Sequence, residues 1–177
     1  GRALNVSFLG NLRDDQQTAI NSMLPHDTGI LCAPTAFGKT VTAAAIIARR
    51  GVNTLILVHR TELLRQWQER LQTFLGVGKE TVGVLGGGKS KTTGQIDIAV
   101  MQSLSRKGVI SDLVKDYGQI IVDECHHLSA GSFEALLRIA PARYVLVLPA
   151  TPTRRDGQHQ IFSMQSVPRR HTRAYRK

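Results

Sequence analysis

Cysteine is scarce. Only Cys32 and Cys125 occur in 177 residues, both at the ends of expected strands. Two thiols cannot make a disulfide framework, and this usage suits a reducing, cytoplasmic location. Long hydrophobic runs are missing as well: no apolar stretch approaches the ~20 residues that span a bilayer, so no membrane partner is expected. No signal peptide is visible, and the chain opens on Gly rather than Met, which reads as an excised domain or a processed product. No internal repeat or low-complexity tract is present. Acidic residues are outnumbered, 13 against 23 Lys and Arg, for a net charge of +10. The imbalance is local: residues 154–177 carry seven bases against Asp156, a net +6, and the remaining 153 residues carry only +4. The body is therefore mildly basic, as suits a domain that touches nucleic acid. The basic end is either a nucleic-acid arm or a solvated linker, and its lack of hydrophobic pattern favours the linker.

The chain has 42% hydrophobic and 20% charged residues and is long enough to bury one substantial core. Its most informative stretch is Ala33-Pro34-Thr35-Ala36-Phe37-Gly38-Lys39-Thr40. The apolar run Ile30–Ala33 leads into it and a helix-forming run, Val41–Ala48, leads out. Strand, small-residue loop, Gly-Lys-Thr and helix make a phosphate-binding arrangement. Backbone N–H groups of residues 35–40 and the helix N-terminus cradle phosphate oxygens, the Lys39 ammonium reaches the outer phosphates, and the Thr40 hydroxyl ligates Mg²⁺. The general pattern asks for Gly where this chain has Ala33. The rival reading is an ordinary strand–loop–helix connection.

A second stretch, Ile120-Ile121-Val122-Asp123-Glu124-Cys125-His126-His127, is a buried strand ending in two carboxylates. Ligands bind at that edge of open α/β sheets. One carboxylate can hold Mg²⁺ and its neighbour can orient and deprotonate an attacking water. Three adjacent Cys-His-His residues lack the spacing that wraps a tetrahedral zinc ion. Together the two stretches read as an ATP–Mg²⁺ site.

Asp123-Glu124-Cys125-His126 resembles motif II of the DExH-box helicases of superfamily 2, and Ala33–Thr40 resembles their motif I. Leu12–Gln17 is similar to the segment upstream of motif I, Val58–Trp67 to motif Ia, Val100–Leu104 to the following nucleic-acid-contacting motif, and Pro149–Arg154 stands where motif III belongs. The nearest branch is that of restriction-type and repair-type helicases, including the type III restriction subunit. The resemblance implies a RecA-like P-loop NTPase domain over residues 1–154, with 155–177 a linker toward a second RecA-like domain that bears an arginine finger. It further implies that Arg13 and Gln16 reach adenine and that Asp123 joins Thr40 on the metal. Lys39 and Glu124 then serve catalysis, while His126, Ala150 and Thr151 couple hydrolysis to movement. Arg60, Gln102 and Ser103 contact a nucleic-acid strand, DNA being favoured over RNA. On residue chemistry alone Arg60 is equally a phosphate grip beside free helix N–H groups or a solvent-facing side chain.

Taken in order, Asp14–Gln17 opens a helix with capping-box spacing that Pro25 ends. The helix after the phosphate loop closes at Arg49-Arg50-Gly51. Thr54–Val58 is a strand, and Leu63, Leu64, Trp67, Leu71 and Phe74 recur at helical spacing over 61–75, with Trp67 a core residue rather than a base-stacking platform. Gly86–Lys91 reads as a basic turn between strands Thr81–Leu85 and Ile96–Val100, close enough to brush a nucleic-acid backbone. Residues 102–116 read as short helices around Gly108, Ser132 starts a helix, and Tyr144–Leu148 is a strand. Alternating strands and helices predict a three-layer α/β/α fold on a mostly parallel sheet.

Two departures from the family pattern bear on the site. Ala36 stands where Gly is usual, and a left-handed backbone there would cost about 1 kcal/mol. Pro149 has no hydroxyl where motif III usually begins with Ser or Thr. The favoured function is an ATP-dependent helicase or translocase domain. The alternatives are a nucleotide-gated nucleic-acid binding module without unwinding activity, and a P-loop kinase or transport ATPase. The last has no use for motif Ia or for His126 beside the acids.

Overall fold

The computed structural model describes residues 1–33, 35–106, 109–110, 112–123, 138, 140–149 and 163–166. The apolar runs become strands: β1 (Thr28–Cys32), β2 (Thr54–Val58), β3 (Val82–Gly86), β4 (Lys89–Lys91), β5 (Ile96–Val100), β6 (Ser105–Arg106), β7 (Val109–Ile110), β8 (Gln119–Asp123), β9 (Tyr144–Leu148) and β10 (Ser163–Ser166). Every residue of β2, β5 and β8 is buried, the mark of strands covered on both faces. The main sheet runs β10-β1-β9-β8-β2-β5-β3-β4. From β1 to β3 all neighbours are parallel. The two edge strands, β10 and β4, are antiparallel.

Alternate residues of a strand face opposite ways, so the sheet divides the core in two. Ile56, Val58, Ile98, Val100, Ile121 and Leu148 face the helices and pack with Ile20, Met23, Ile46, Trp67 and Leu71. Leu55, Leu57, Ala99, Ile120 and Val122 face the other way, against Leu104, Val114, Tyr117, Ala140 and Ala142. The chain thus adopts the expected three-layer α/β architecture.

Local chemistry sets the helix ends. In α1 (Asp14–Met23) the Arg13 backbone N–H donates to Gln16 Oε1 at 2.9 Å, and Asp14 and Asp15 sit in the first turn, where the helix dipole favours negative charge. In α2 (Ala36–Arg50) the Thr35 hydroxyl accepts the Gly38 N–H at 3.0 Å. Arg49 and Arg50 end that helix and Gly51 closes it at φ 63°, a left-handed turn that Gly takes without Cβ strain. Along α3 (Glu62–Leu75) a stripe of Leu64, Trp67, Leu71 and Leu75 is buried. Each such side chain contributes ~1.5–3 kcal/mol on leaving water, which holds α3 to the sheet.

Three local features differ from the sequence reading. The basic turn at Gly86–Lys91 is a β-hairpin: Gly87 and Gly88, at φ 58° and 83°, make the turn, and Lys89–Lys91 returns as β4. Between the short helices α4 (Met101–Leu104) and η1 (Asp112–Asp116) a small hairpin, β6–β7, intervenes. Residues 163–166, within the stretch read as linker, form β10 against β1. Period-2 patterning over two to four residues is too short to stand out from loop, so none of these was visible. Of the helix expected from Ser132 only Arg138 is described.

Candidate nucleotide site and nucleic-acid edge

Because β1, β9, β8, β2, β5 and β3 are parallel, the loops after them gather on one edge. There β1 delivers the phosphate loop, β2 delivers His59 and Arg60, β5 delivers α4, and β8 ends on Asp123.

Thr35 is extended (φ −138°, ψ 160°) and begins α2. The helix starts at Ala36, so position 36 is right-handed and the strain considered for alanine there does not arise. The Lys39 N–H reaches the Thr35 carbonyl at 3.1 Å, and the Thr40 hydroxyl donates to the Phe37 carbonyl at 3.0 Å. Winding the loop into the helix turns Lys39 inward. Its side chain is 3% exposed and its Nζ lies 3.4 Å from Asp123 Oδ1, itself on a side chain 6% exposed. The other carboxylate oxygen, Oδ2, accepts the indole N–H of Trp67 at 3.0 Å. A charge buried alone would cost several kcal/mol, so each partner makes the other's burial tolerable.

Lys39 and Asp123 are 84 residues apart in sequence and meet only here. Asp123 and Thr40 offer hard oxygen donors, the type Mg²⁺ takes. Among the described residues no group of three or more His, Cys, Asp or Glu could hold a metal. Mg²⁺ at a nucleotide does not need one, since it uses one or two protein oxygens with phosphates and water. The residues present fit that ion.

Phe37 is 57% exposed beside the loop. Its ring meets Phe74 of α3 edge-on, 5.5 Å between centroids, with the Arg70 guanidinium 5.9 Å away. Arg13 pairs with Asp15 at 3.2 Å, and Gln16 is buried with its oxygen on the Arg13 N–H, so both occupy the start of α1.

Val58 and Val100 are register partners in adjacent strands. Arg60 and Gln102 therefore stand two residues beyond a common line; both are exposed, and Ser103 is half-buried. The β3–β4 hairpin closes on the same place. A β-carbon on Gly86 would lie 3.2 Å from the Ser103 hydroxyl, and one on Gly87 would lie 3.3 Å from the Thr61 methyl. Arg60, Gln102, Ser103 and the exposed Lys89 thus share one edge, from which β4 carries Lys91 back along β3. Glu124, His126, Ala150 and Thr151 lie outside the described residues.

Sequence reasoning placed Trp67 in the core, where it is, but missed its hydrogen bond to Asp123. The sequence signals only that a buried indole N–H needs an acceptor; which group supplies it follows from how α3 packs on the sheet.

The profile of the family described as Type III restriction enzyme, res subunit, matches residues 9–154. The chain belongs to this family. It is built as the first RecA-like domain of the superfamily 2 helicases, in the restriction and repair branch. Among curated relatives it is 33% identical over 157 residues to the protein named DNA 3'-5' translocase XPB2 of Sulfurisphaera tokodaii, covering 89% of this chain and 34% of that one. It is 34% identical to the putative helicase 109L of Invertebrate iridescent virus 3, covering 89% of this chain and 50% of the relative. A third relative, at 29% identity, covers 93% of this chain and 32% of its own length and is named a putative ATP-dependent RNA helicase, from Acanthamoeba polyphaga mimivirus. The chain thus spans between 32% and 50% of the length of these three relatives. In fold it is similar to the UvsW helicase of bacteriophage T4, with a TM-score of 0.65 at 19% identity, covering 87% of this chain and 58% of that one. Among the described residues no helix is long and apolar enough to cross a membrane.

Proposed function

We propose that this chain is the ATP-binding half of a nucleic-acid motor that hydrolyses ATP with Mg²⁺ and couples the reaction to movement along DNA. The observation that carries this reading is the buried Lys39–Asp123 pair, which joins the phosphate loop to the acidic end of β8. In the nucleotide-bound state Lys39 leaves Asp123 for the β- and γ-phosphates, while residues 35–40 present N–H groups at the start of α2. Asp123 and Thr40 hold Mg²⁺, which supplies charge neutralisation on the phosphates. Arg13 and Gln16 contact adenine. Glu124 orients and deprotonates the attacking water. Arg60, Gln102 and Ser103 grip the sugar–phosphate backbone, where guanidinium, amide and hydroxyl donors suit phosphate oxygens better than base edges. His126, Ala150 and Thr151 relay the nucleotide state. Residues 1–154 form the ATP-binding unit, β10 adds a strand to its sheet, and the rest of 155–177 leads toward a second RecA-like domain. An arginine from that domain completes the site, and lacking such a group typically costs ~10³–10⁵ in rate.

DNA is favoured over RNA because the relative from Sulfurisphaera tokodaii, at 33% identity, is named a DNA translocase. Calorimetry on Lys39→Ala tests the nucleotide assignment. Affinity for Mg·ATP falls roughly a hundredfold, about 2.7 kcal/mol. Unchanged affinity overturns the reading. Stimulation of ATPase by single-stranded DNA against RNA, in a chain joined to its second domain, tests the substrate. Binding without stimulation by either would favour the nucleotide-gated module over the motor.

A further inference from the structure

The chain has a single tryptophan, and it lies against the carboxylate proposed to bind the metal. Trp67 is 1% exposed, in the buried stripe of α3. A buried indole N–H needs an acceptor, and a backbone carbonyl would satisfy it as well as a side chain. Here the acceptor is Asp123 Oδ2, at 3.0 Å, while Oδ1 faces the Lys39 ammonium at 3.4 Å. The terminal torsion of an aspartate is broad and roughly two-fold, so a carboxylate at a strand end turns readily unless something holds it. A donor fixed on one oxygen sets the plane of the group and leaves the other oxygen toward the phosphate loop.

We propose that Trp67 is a positioning residue for the metal: its N–H holds Asp123 Oδ2 so that Oδ1 alone meets the cation. In this structure that cation is the Lys39 ammonium; with nucleotide bound it is Mg²⁺. The proposal rests on the nucleotide reading above and assigns α3 a part in it. Hydrogen-bond partners of metal-binding side chains orient them, and losing one typically costs ~10–100-fold in metal affinity.

The test uses Trp67→Phe, which keeps an aromatic ring in the stripe and removes the N–H. ADP binding is measured by calorimetry across a Mg²⁺ series and in EDTA. The expected result is that Trp67→Phe needs on the order of tenfold more Mg²⁺ for half-maximal tightening, while affinity in EDTA matches the wild type. A packing role alone would lower the melting temperature and leave the Mg²⁺ dependence unmoved, and that outcome overturns the proposal. The wild type gives a second, independent reading, because one tryptophan yields one indole N–H resonance. That resonance shifts in Asp123→Asn and again when Mg·ADP is added. If Trp67→Phe does not fold, this measurement decides: an indole signal unmoved by Mg·ADP, with Mg·ADP shown to bind, overturns the proposal. If the wild type binds no Mg·ADP at all, the nucleotide reading itself fails. If it binds, and Lys39→Ala weakens binding while Trp67→Phe leaves the Mg²⁺ dependence intact, only the role of Trp67 fails.

Discussion

Asp97, the second residue of β5, and Asp123, the last of β8, are both buried aspartates, toward opposite edges of one sheet. Asp97 accepts the backbone N–H groups of Thr93 at 2.8 Å and Gly94 at 2.9 Å and the hydroxyl of Tyr117. Around it the N-terminal edge is closed in the same way. Asn53 receives the N–H groups of Arg2 and Gly118 and donates to the carbonyls of Gly94 and Asp116. Gln119 bridges Thr54 and Arg50. Burial pulls the Arg50 guanidinium down to about 10, with Tyr144 and Asp27 holding it up, so it stays charged at neutral pH. These partners are mostly backbone groups, joined by the Thr54 hydroxyl, the Tyr117 phenol and the Arg50 guanidinium. Asp123 instead holds an ammonium on a flexible four-carbon stem. At the N-terminal edge Asp97, Asn53 and Gln119 fasten loops to the sheet. The C-terminal edge holds a side-chain pair, and under the proposed function that pair changes partners, which would separate a structural carboxylate from a working one.

The largest effect expected at the working edge falls on chemistry rather than binding. Glu124→Gln, in a chain joined to its second domain, should bind ATP as the wild type does and turn it over ~10²–10⁴-fold more slowly, because only the proton-accepting group is lost. Steady-state ATPase with saturating DNA, set beside ATP affinity, checks it. Full turnover would remove Glu124 from the mechanism.

The opposite outcome is expected at the closed edge. Asp97→Ala leaves the Tyr117 hydroxyl and two N–H groups seeking partners, at a cost of about 2–3 kcal/mol. The melting temperature then drops by roughly 4–12 °C. Mg·ATP affinity should not change in the folded protein. A loss of affinity without a loss of stability would erase the distinction between the edges.

How much of this was legible depended on length scale. The long runs around β1, β2, β5, β8 and β9 announced themselves because parallel strands buried on both faces need unbroken apolar sequence. Gly38-Lys39-Thr40 and Asp123 stood out because the proposed phosphate and Mg²⁺ chemistry would demand those residue types, and the fold brings Lys39 and Asp123 together. Partners across long separations were not: nothing in the order of residues says that Trp67 meets Asp123, or that Asn53 gathers Arg2, Gly94 and Gly118. Those contacts follow from register, which the sheet sets only once it is assembled. The β3–β4 hairpin was read as a turn because Lys-Ser-Lys has no apolar face to mark it as a strand.

A smaller effect probes the exposed part of the working edge. Arg60 lies beyond β2 with its side chain in solvent, so its removal should not alter folding. Arg60→Ala should weaken single-stranded DNA binding several-fold at low salt and lower the slope of log affinity against log salt by about 1, the mark of one phosphate contact. Fluorescence anisotropy across a salt series measures both. An unchanged slope would return Arg60 to the solvent-facing reading.

The smallest effect returns to the closed edge and depends on pH. Burial, and then the hydrogen bond to Asp97, push the Tyr117 phenol well above the usual tyrosine range. A group whose proton is held more tightly in the folded state adds stability that is fully present below its unfolded pKa, about 10 for tyrosine, and is lost as pH rises toward the folded value. Tyr117→Phe keeps the ring and removes the hydroxyl, and Asp97 retains its two backbone donors. At pH 8 the variant should therefore be less stable than the wild type by about 1 kcal/mol. Above pH ~10 the wild type must hold the phenol protonated against solvent, while phenylalanine has nothing to titrate, so the gap should narrow. Urea unfolding at pH 8 and pH 10.5 gives both values. A gap that stays constant would mean that the Tyr117 proton is not held by the fold, and that the N-terminal edge is less tightly closed than its hydrogen bonds indicate.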